Sequence, residues 1–274
     1  MGAEIDPTTA RSRRRRPDAP FGELRREARL RLLRMHHRAG VGHIGGNLSA
    51  LDALLVLHHR AMRDDDVFVL AKGHAAGALY VALWSIGELG DEDLDAFHGD
   101  GSILSGHPAP NALAGVPVAT GSLGHGLPVA AGIALARKLE RAPGRVFCLC
   151  SDGEWQEGSN WEALVFAHRH ALDALVVLVD ANGLQGFGTT EEVGGIDDLP
   201  ARLRAFGFAV DECDGHDPEA IEARIAREAP GPRAIVLHTV KGKGVSFMED
   251  RLEWHYLPLD DALYERARRE VEGA

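Results

Sequence analysis

The chain has 274 residues, 45% hydrophobic and 26% charged, with a formal net charge of −11. That is enough apolar material for one large α/β domain or two small ones, the negative balance speaks against a nucleic-acid partner, and no run approaches the roughly 18 apolar residues of a membrane helix. The arginines of RSRRRRP (11–17) lead into the amphipathic pattern FGELRREARLRLLRMHH and not into an apolar core, so no secretory signal is read and the expected location is the cytoplasm.

Residues 1–19 read as a basic, solvated, disordered tail, and 20–274 as one domain. An opening helix over about 20–39 is followed by a glycine-rich turn, AGVGHIGGNLS, and a helix through ALDALLVLHHRAM. The short strand DVFVL (66–70) runs into the helical AKGHAAGALYVALWSIG; a loop over 98–120 holds SGHP; GSLGHGLPVAAGIALARKLE is a glycine turn opening a helix. Further strands are expected at 145–150, 174–180, 209–213 and 233–240, with helices between them and a last helix in LDDALYERARREVE. Short apolar, β-branched runs alternating with helices predict a doubly wound α/β fold, a mostly parallel sheet with helices on both faces. The three cysteines show no CxxC spacing, and Cys148 and Cys150 alternate along one strand, as buried thiols would.

In such sheets ligands sit beyond the carboxyl ends of the strands. Asp152 ends one strand, and Asp180 with Asn182 ends the next, so Asp152 and Asn182 can face one ligand although thirty positions apart. Alone, Asp152 reads as the cap of the helix in EWQEGSNWEALVFAHRH. Paired with an amide at Asn182 and a main-chain carbonyl at Leu184, it offers hard oxygen ligands for a hydrated Mg²⁺ carrying phosphate oxygens.

SDGEWQEGSNWEA (151–163) followed by DANGLQGFG (180–188) resembles the thiamine diphosphate signature. GHIGGNLS (42–49), AKGHA (71–75), SGHP (105–108), TGSLGHG (120–126) and TVKGKGVSFMEDRLEWH (239–255) are similar, in the same order, to stretches of the transketolase family, and together they span nearly the whole chain after residue 20. The resemblance implies thiamine diphosphate and Mg²⁺ as cofactors, with Asp152, Asn182 and the Leu184 carbonyl as metal ligands and Gly153 beside the diphosphate. It places His74 and His255 along the cofactor, His43 and His107 on the sugar hydroxyls, Gly121 and Leu123 against the cofactor rings, and Glu157 in an acid network between paired sites. Imidazoles suit this work, since a polyol needs donors and acceptors and proton transfer near neutrality. The catalytic candidates are therefore His43, His107, His255 and Glu157.

The other histidines read as structural: His36, His37, His58, His59, His168 and His170 on helices, and His216, like Lys241 to Gly244, in turns. The chain departs from the family pattern at Ser151, Ile44, His125 and Tyr256. His125, where glutamine is common, is expected to bear on acceptor choice, and Tyr256, after His255, on local lid geometry. The family's pyrimidine-binding domain, with the glutamate that activates the cofactor, has no counterpart here. The resemblance therefore implies the N-terminal subunit of a split transketolase, acting on a sugar or sugar phosphate in a 2+2 assembly with a C-terminal subunit. Two other readings are a subunit of another split thiamine diphosphate enzyme acting on 2-oxo acids, which would lack GHIGG and SGHP, and a non-catalytic binding module, which would have lost its metal ligands.

Overall fold

A computed structural model describes residues 20–110 and 113–273; the expected tail over 1–19 lies outside them. The first helices are α1 (Phe21–Ala39), α2 (Ile44–Val56), α3 (Ala76–Ser85), the single turn α4 (Asp91–Asp95) and α5 (Gly126–Glu140), with strand β1 (Val67–Leu70) between α2 and α3. Then follow β2 (Val146–Ser151), α6 (Gly158–Arg169), β3 (Leu175–Ala181), α7 (Thr190–Gly194), α8 (Leu199–Ala205), β4 (Ala209–Asp214), α9 (Pro218–Ala226), β5 (Arg233–His238) and α10 (Asp261–Glu272). The strands form one sheet in the order β1-β2-β3-β5-β4, and every pairing is parallel.

Strand residues alternate between two cores, as a period of two requires. Phe147, Leu149, Val176, Leu178, Ile235 and Leu237 face α1, α2, α3, α9 and α10. Cys148, Cys150, Val177, Val179, Ala234 and Val236 face α5, α6 and α8. Both faces are thus covered, which is why β2 and β3 are continuous apolar runs. Cys148 and Cys150 are buried thiols on the same face, Sγ to Sγ 3.8 Å. Several helices start where a side chain catches free amides: Asp198 for α8, Asp217 followed by Pro218 for α9, and Asp260 for α10.

The expected strands agree with the observed ones to within a residue or two, save that Thr239 and Val240 leave the sheet; Val240 N donates to His216 Nε2. The glycine-rich stretch differs more. It is not a turn ahead of a helix; α2 begins at Ile44, so Gly45 and Gly46 lie inside it. A Cβ on Gly45 would stand 3.1 Å from Lys241 Cγ and 3.2 Å from Trp254. Close packing, not turning, is what Gly45 permits, and α2 is buried along its whole length. Ile44, where the family pattern has proline, opens α2 fully buried, at a position where proline is equally at home.

Candidate active site

The carboxyl ends of β1, β2, β3 and β5 open into a cleft of about 250 Å³. Its wall contains His43, His74, His107, Gly121, Leu123, Asp152, Gly153, Asn182, Leu184 and His255, together with Lys241 and Tyr256. Glu157 is outside it, exposed, with its Cβ against the loop at Gly124.

The thirty-residue gap between Asp152 and Asn182 closes because β2 and β3 are neighbours, with Ser151 opposite Asp180. Asp152 N donates to Asp180 O at 3.2 Å. The Asp152 carboxylate accepts from Gly153 N at 2.8 Å and, across the strand ends, from Gly183 N at 2.6 Å. It does not cap the long helix, since α6 begins at Gly158; it caps only the short 3₁₀ turn Gly153–Gln156. Burial and the nearby Asp180 charge push its carboxyl up to about 6, in spite of those amides and Lys72. An acid enclosed at such a cost is relieved by a cation.

Behind it lies a buried polar network. Lys72 and Asp180 form an ion pair, Ser49 Oγ donates to Asp180 at 2.6 Å, and Lys72 Nζ donates to Gly46 O at 3.1 Å. Burial would raise the Asp180 carboxyl, yet the Lys72 charge and these hydrogen bonds hold it below the ordinary range. Ser49 Oγ also accepts from Asn182 Nδ2 at 3.3 Å, which fixes the amide and leaves its oxygen on the other side. Asn182 Oδ1 accepts from Leu184 N at 3.1 Å, and Leu184 O from Lys241 Nζ at 3.2 Å.

Four imidazoles converge from four segments. The ring centroids of His43 stand 5.6 Å from His74, 6.0 Å from His107 and 5.1 Å from His255. Burial is the leading cause that lowers each of their pKa values. Neighbouring groups add to it: His107 for His43, Lys72 for His74, His98 for His107, and Lys241 for His255, which falls to about 3. All four are neutral near pH 7, so each presents one donor and one acceptor nitrogen to a hydroxylated ligand.

Sequence reasoning assigned Lys241 to a turn; it is buried in the cleft wall, 3.1 Å from His255 Nδ1. Burial and the Lys72 charge push its ammonium down to about 8. Glu154 was not singled out, yet it is the fully buried acid after β2, accepting from Gly124 N at 2.9 Å and Ser151 N at 3.2 Å, while burial pushes it up to about 7. Nothing in the spacing says which of Glu154 and Glu157 turns inward. His216 stands in a turn, as expected, and is a half-buried partner of Asp52 at 2.9 Å. His125 is exposed, outside the cleft wall, and its Nδ1 lies 3.2 Å from Leu123 O. Tyr256 packs beside His255, ring centroids 4.8 Å apart. A Cβ on Gly186 would meet its hydroxyl at 2.4 Å and one on Gly42 its carbonyl at 2.5 Å, so those glycines make room for it.

Among the described residues no three His, Cys, Asp or Glu side chains are grouped as a metal site. The donor set at Asp152, Asn182 and Leu184 is of another kind, with one carboxylate, one amide and one main-chain carbonyl. Oxygen-only ligation of this sort suits a hard cation such as Mg²⁺. Gln185, also in the wall, has a buried Nε2 with no partner, a donor ready for an anion. A family model described as the thiamine diphosphate-binding domain of transketolase matches residues 26–272. The chain belongs to the transketolase family.

Transketolase relatives fall into two length classes. One short relative is a subunit of the apulose-4-phosphate transketolase of Phocaeicola vulgatus, 41% identical over 256 residues, covering 89% of this chain and 90% of the relative. Another is a 6-deoxy-6-sulfo-D-fructose transketolase subunit of a Clostridium species, 38% identical over 247 residues, covering 86% and 90%. The transketolase of Campylobacter jejuni superposes with a TM-score of 0.84 at 30% identity, covering 93% of this chain but 43% of the longer one. The expected transketolase fold, with helices on both faces of a parallel sheet, is thus confirmed, and among the described residues no helix is long and apolar enough to cross a membrane.

The raised Asp152 carboxyl predicts a pH dependence for the cation proposed at that site. Above pH about 6 Asp152 is ionised and able to ligate; below it a proton competes with the cation. Mg²⁺-dependent cofactor affinity is expected to hold between pH 7 and 8 and to fall by up to about tenfold per unit below 6. Calorimetric titrations at three pH values measure it; a flat profile down to pH 5 would remove Asp152 from the cation.

Proposed function

We propose that the chain is the cofactor-binding subunit of a two-component transketolase, moving a two-carbon ketol unit from a ketose to an aldehyde acceptor. The observation that carries this is the convergence of Asp152, Asn182 and Leu184 with four neutral histidines in one cleft. Both short relatives are named for ketoses with an anionic group, a phosphate in one and a sulfonate in the other. The substrate class proposed here is a ketose of that kind. The partner is a C-terminal subunit bearing the pyrimidine-binding domain, in a 2+2 assembly, working in the cytoplasm; no nucleic acid or membrane takes part.

In this reading Asp152, Asn182 and the Leu184 carbonyl hold Mg²⁺, while Gly153 and the Gln185 amide face the diphosphate. Bound thiamine diphosphate supplies a carbon nucleophile that takes up the donor's carbonyl carbon and stores the electron pair released on cleavage. The chain's own groups position and move protons. His74 lines the cofactor's place with Gly121 and Leu123, and Gly121, at φ 136°, leaves room for the His107 ring, 2.8 Å from where its Cβ would stand. His43 and His107 hold the sugar hydroxyls, and His255, with Lys241 Nζ 3.1 Å from its Nδ1, keeps its other nitrogen for the substrate. Glu157, exposed beside Gly124, takes part in this reading in an acid network with the partner.

His107→Ala separates these roles. Cofactor affinity in the assembled enzyme is expected to stay within about twofold of wild type, while kcat/KM for the ketose falls by about two orders of magnitude. Steady-state kinetics beside cofactor titration read both. A variant that binds cofactor poorly but turns over normally when saturated would reverse the assignment.

A further inference from the structure

A second cavity, of about 280 Å³, shares no residue with the cleft. Its wall carries four cations, Arg25, Arg26 and Arg29 on α1 and Lys243 in the loop after β5, and no carboxylate. Two acids lie within ion-pair distance of these cations. The buried Asp52 holds Arg25 at 2.8 Å and Arg29 at 2.7 Å, and Glu249 holds Lys243 at 3.4 Å. Arg26 has no ion pair among the described residues. The cavity is therefore positive on a chain whose formal charge is −11, a local field that favours small anions over the protein's surroundings.

Arg29 Nε is buried and has no hydrogen-bond partner, a donor whose desolvation is uncompensated. A Cβ on Gly244 would stand 3.0 Å from it, so Gly244 packs closely against that flank of the guanidinium. Arg29 is held by Asp52 through its NH2 group, which fixes the plane of the fork. Arg26, exposed in the same wall and without an ion pair among the described residues, is the guanidinium free to match the paired oxygens of a phosphate, and Arg25, Arg29 and Lys243 supply further charge.

We propose that this cavity is a binding site for a phosphate-type oxyanion, either inorganic phosphate or the ester group of a sugar monophosphate. It is independent of the reading of the cleft, but a short path joins the two. Asp52, which holds Arg25 and Arg29, also accepts from His216 Nδ1 at 2.9 Å; His216 Nε2 accepts from Val240 N at 2.8 Å, and Lys241 of the cleft wall is the next residue.

The test is calorimetric titration of the full chain with inorganic phosphate and with a ketose monophosphate, at matched ionic strength. Three proteins are compared: wild type, the double variant Arg26→Gln/Lys243→Gln, and Asp152→Ala. Wild type and Asp152→Ala are expected to bind with equal affinity, on the order of millimolar, and the double variant at least about tenfold more weakly. Tighter binding of the ester than of inorganic phosphate assigns the site to a sugar phosphate; equal binding assigns it to the bare oxyanion. No saturable binding by wild type, loss in Asp152→Ala with retention in the double variant, or equal loss in both variants would each overturn the proposal. Unchanged melting temperatures of the double variant without phosphate show that the fold is intact.

Discussion

Asp152→Ala is expected to reduce Mg²⁺-dependent thiamine diphosphate affinity in the assembled enzyme by about two orders of magnitude or more, because it deletes the one carboxylate among the three oxygen donors. The cofactor-free fold should hardly notice. Two hydrogen bonds, from Gly153 and Gly183, are lost. Against that stands the cost of an acid whose pKa rises from 3.8 to about 6 on folding. A raised acid opposes folding at a pH above both values, here by about 3 kcal/mol at most, and its removal relieves that cost. The two effects oppose each other, so the melting temperature without cofactor is expected to shift by only a few degrees, about what 1 kcal/mol produces. Titration of cofactor and Mg²⁺ beside thermal unfolding checks both. Unaltered affinity would leave Asp152 as the cap of a short 3₁₀ turn and nothing more.

The second large effect is the requirement for a partner. The cleft carries the oxygen donors of Asp152, Asn182 and Leu184 and neutral imidazoles, and among the described residues its wall contains no carboxylate besides Asp152. The acid that activates the cofactor must come from another chain in the proposed assembly. This chain alone is expected to show no measurable ketol transfer, and a mixture with its pyrimidine-domain subunit to recover the full rate, dependent on thiamine diphosphate and Mg²⁺. Coupled assays on each chain and on the mixture, with light scattering after size exclusion, test this. Turnover by the isolated chain would sink the two-component reading. A well-formed complex that transfers no ketol unit from any ketose would redirect it towards 2-oxo acids.

Glycines carried two kinds of information in the sequence, and only one was legible. Gly153, after an apolar strand and an acid, marked a ligand-facing strand end, and it stands in the cleft wall. Gly45 and Gly46 looked like turn residues, but they sit inside α2, and Lys241 and Trp254 pack closely against Gly45. The close approach comes from a segment nearly two hundred positions away, which local patterning does not register. Lys241 stands in a turn, as expected, but its burial was hidden for the same reason. Just ahead of a glycine it reads as a turn lysine, and only the packing of its loop against α2 buries it beside His255.

What the sequence determined by itself were the features with a short-range signature. The strands follow from apolar β-branched runs, and the pairing of Asp152 with Asn182 from parallel strands ending at one edge. Tertiary structure alone decided the electrostatics. Burial made the four histidines neutral, raised Asp152 and Glu154, and left Glu157 exposed while Glu154 three residues earlier was enclosed. It also gathered Arg25, Arg26, Arg29 and Lys243 around one cavity. The physical reason is the same in each case: a charge's free energy depends on the water removed from around it and on neighbours brought from distant segments, and neither is written in the residues on either side of it.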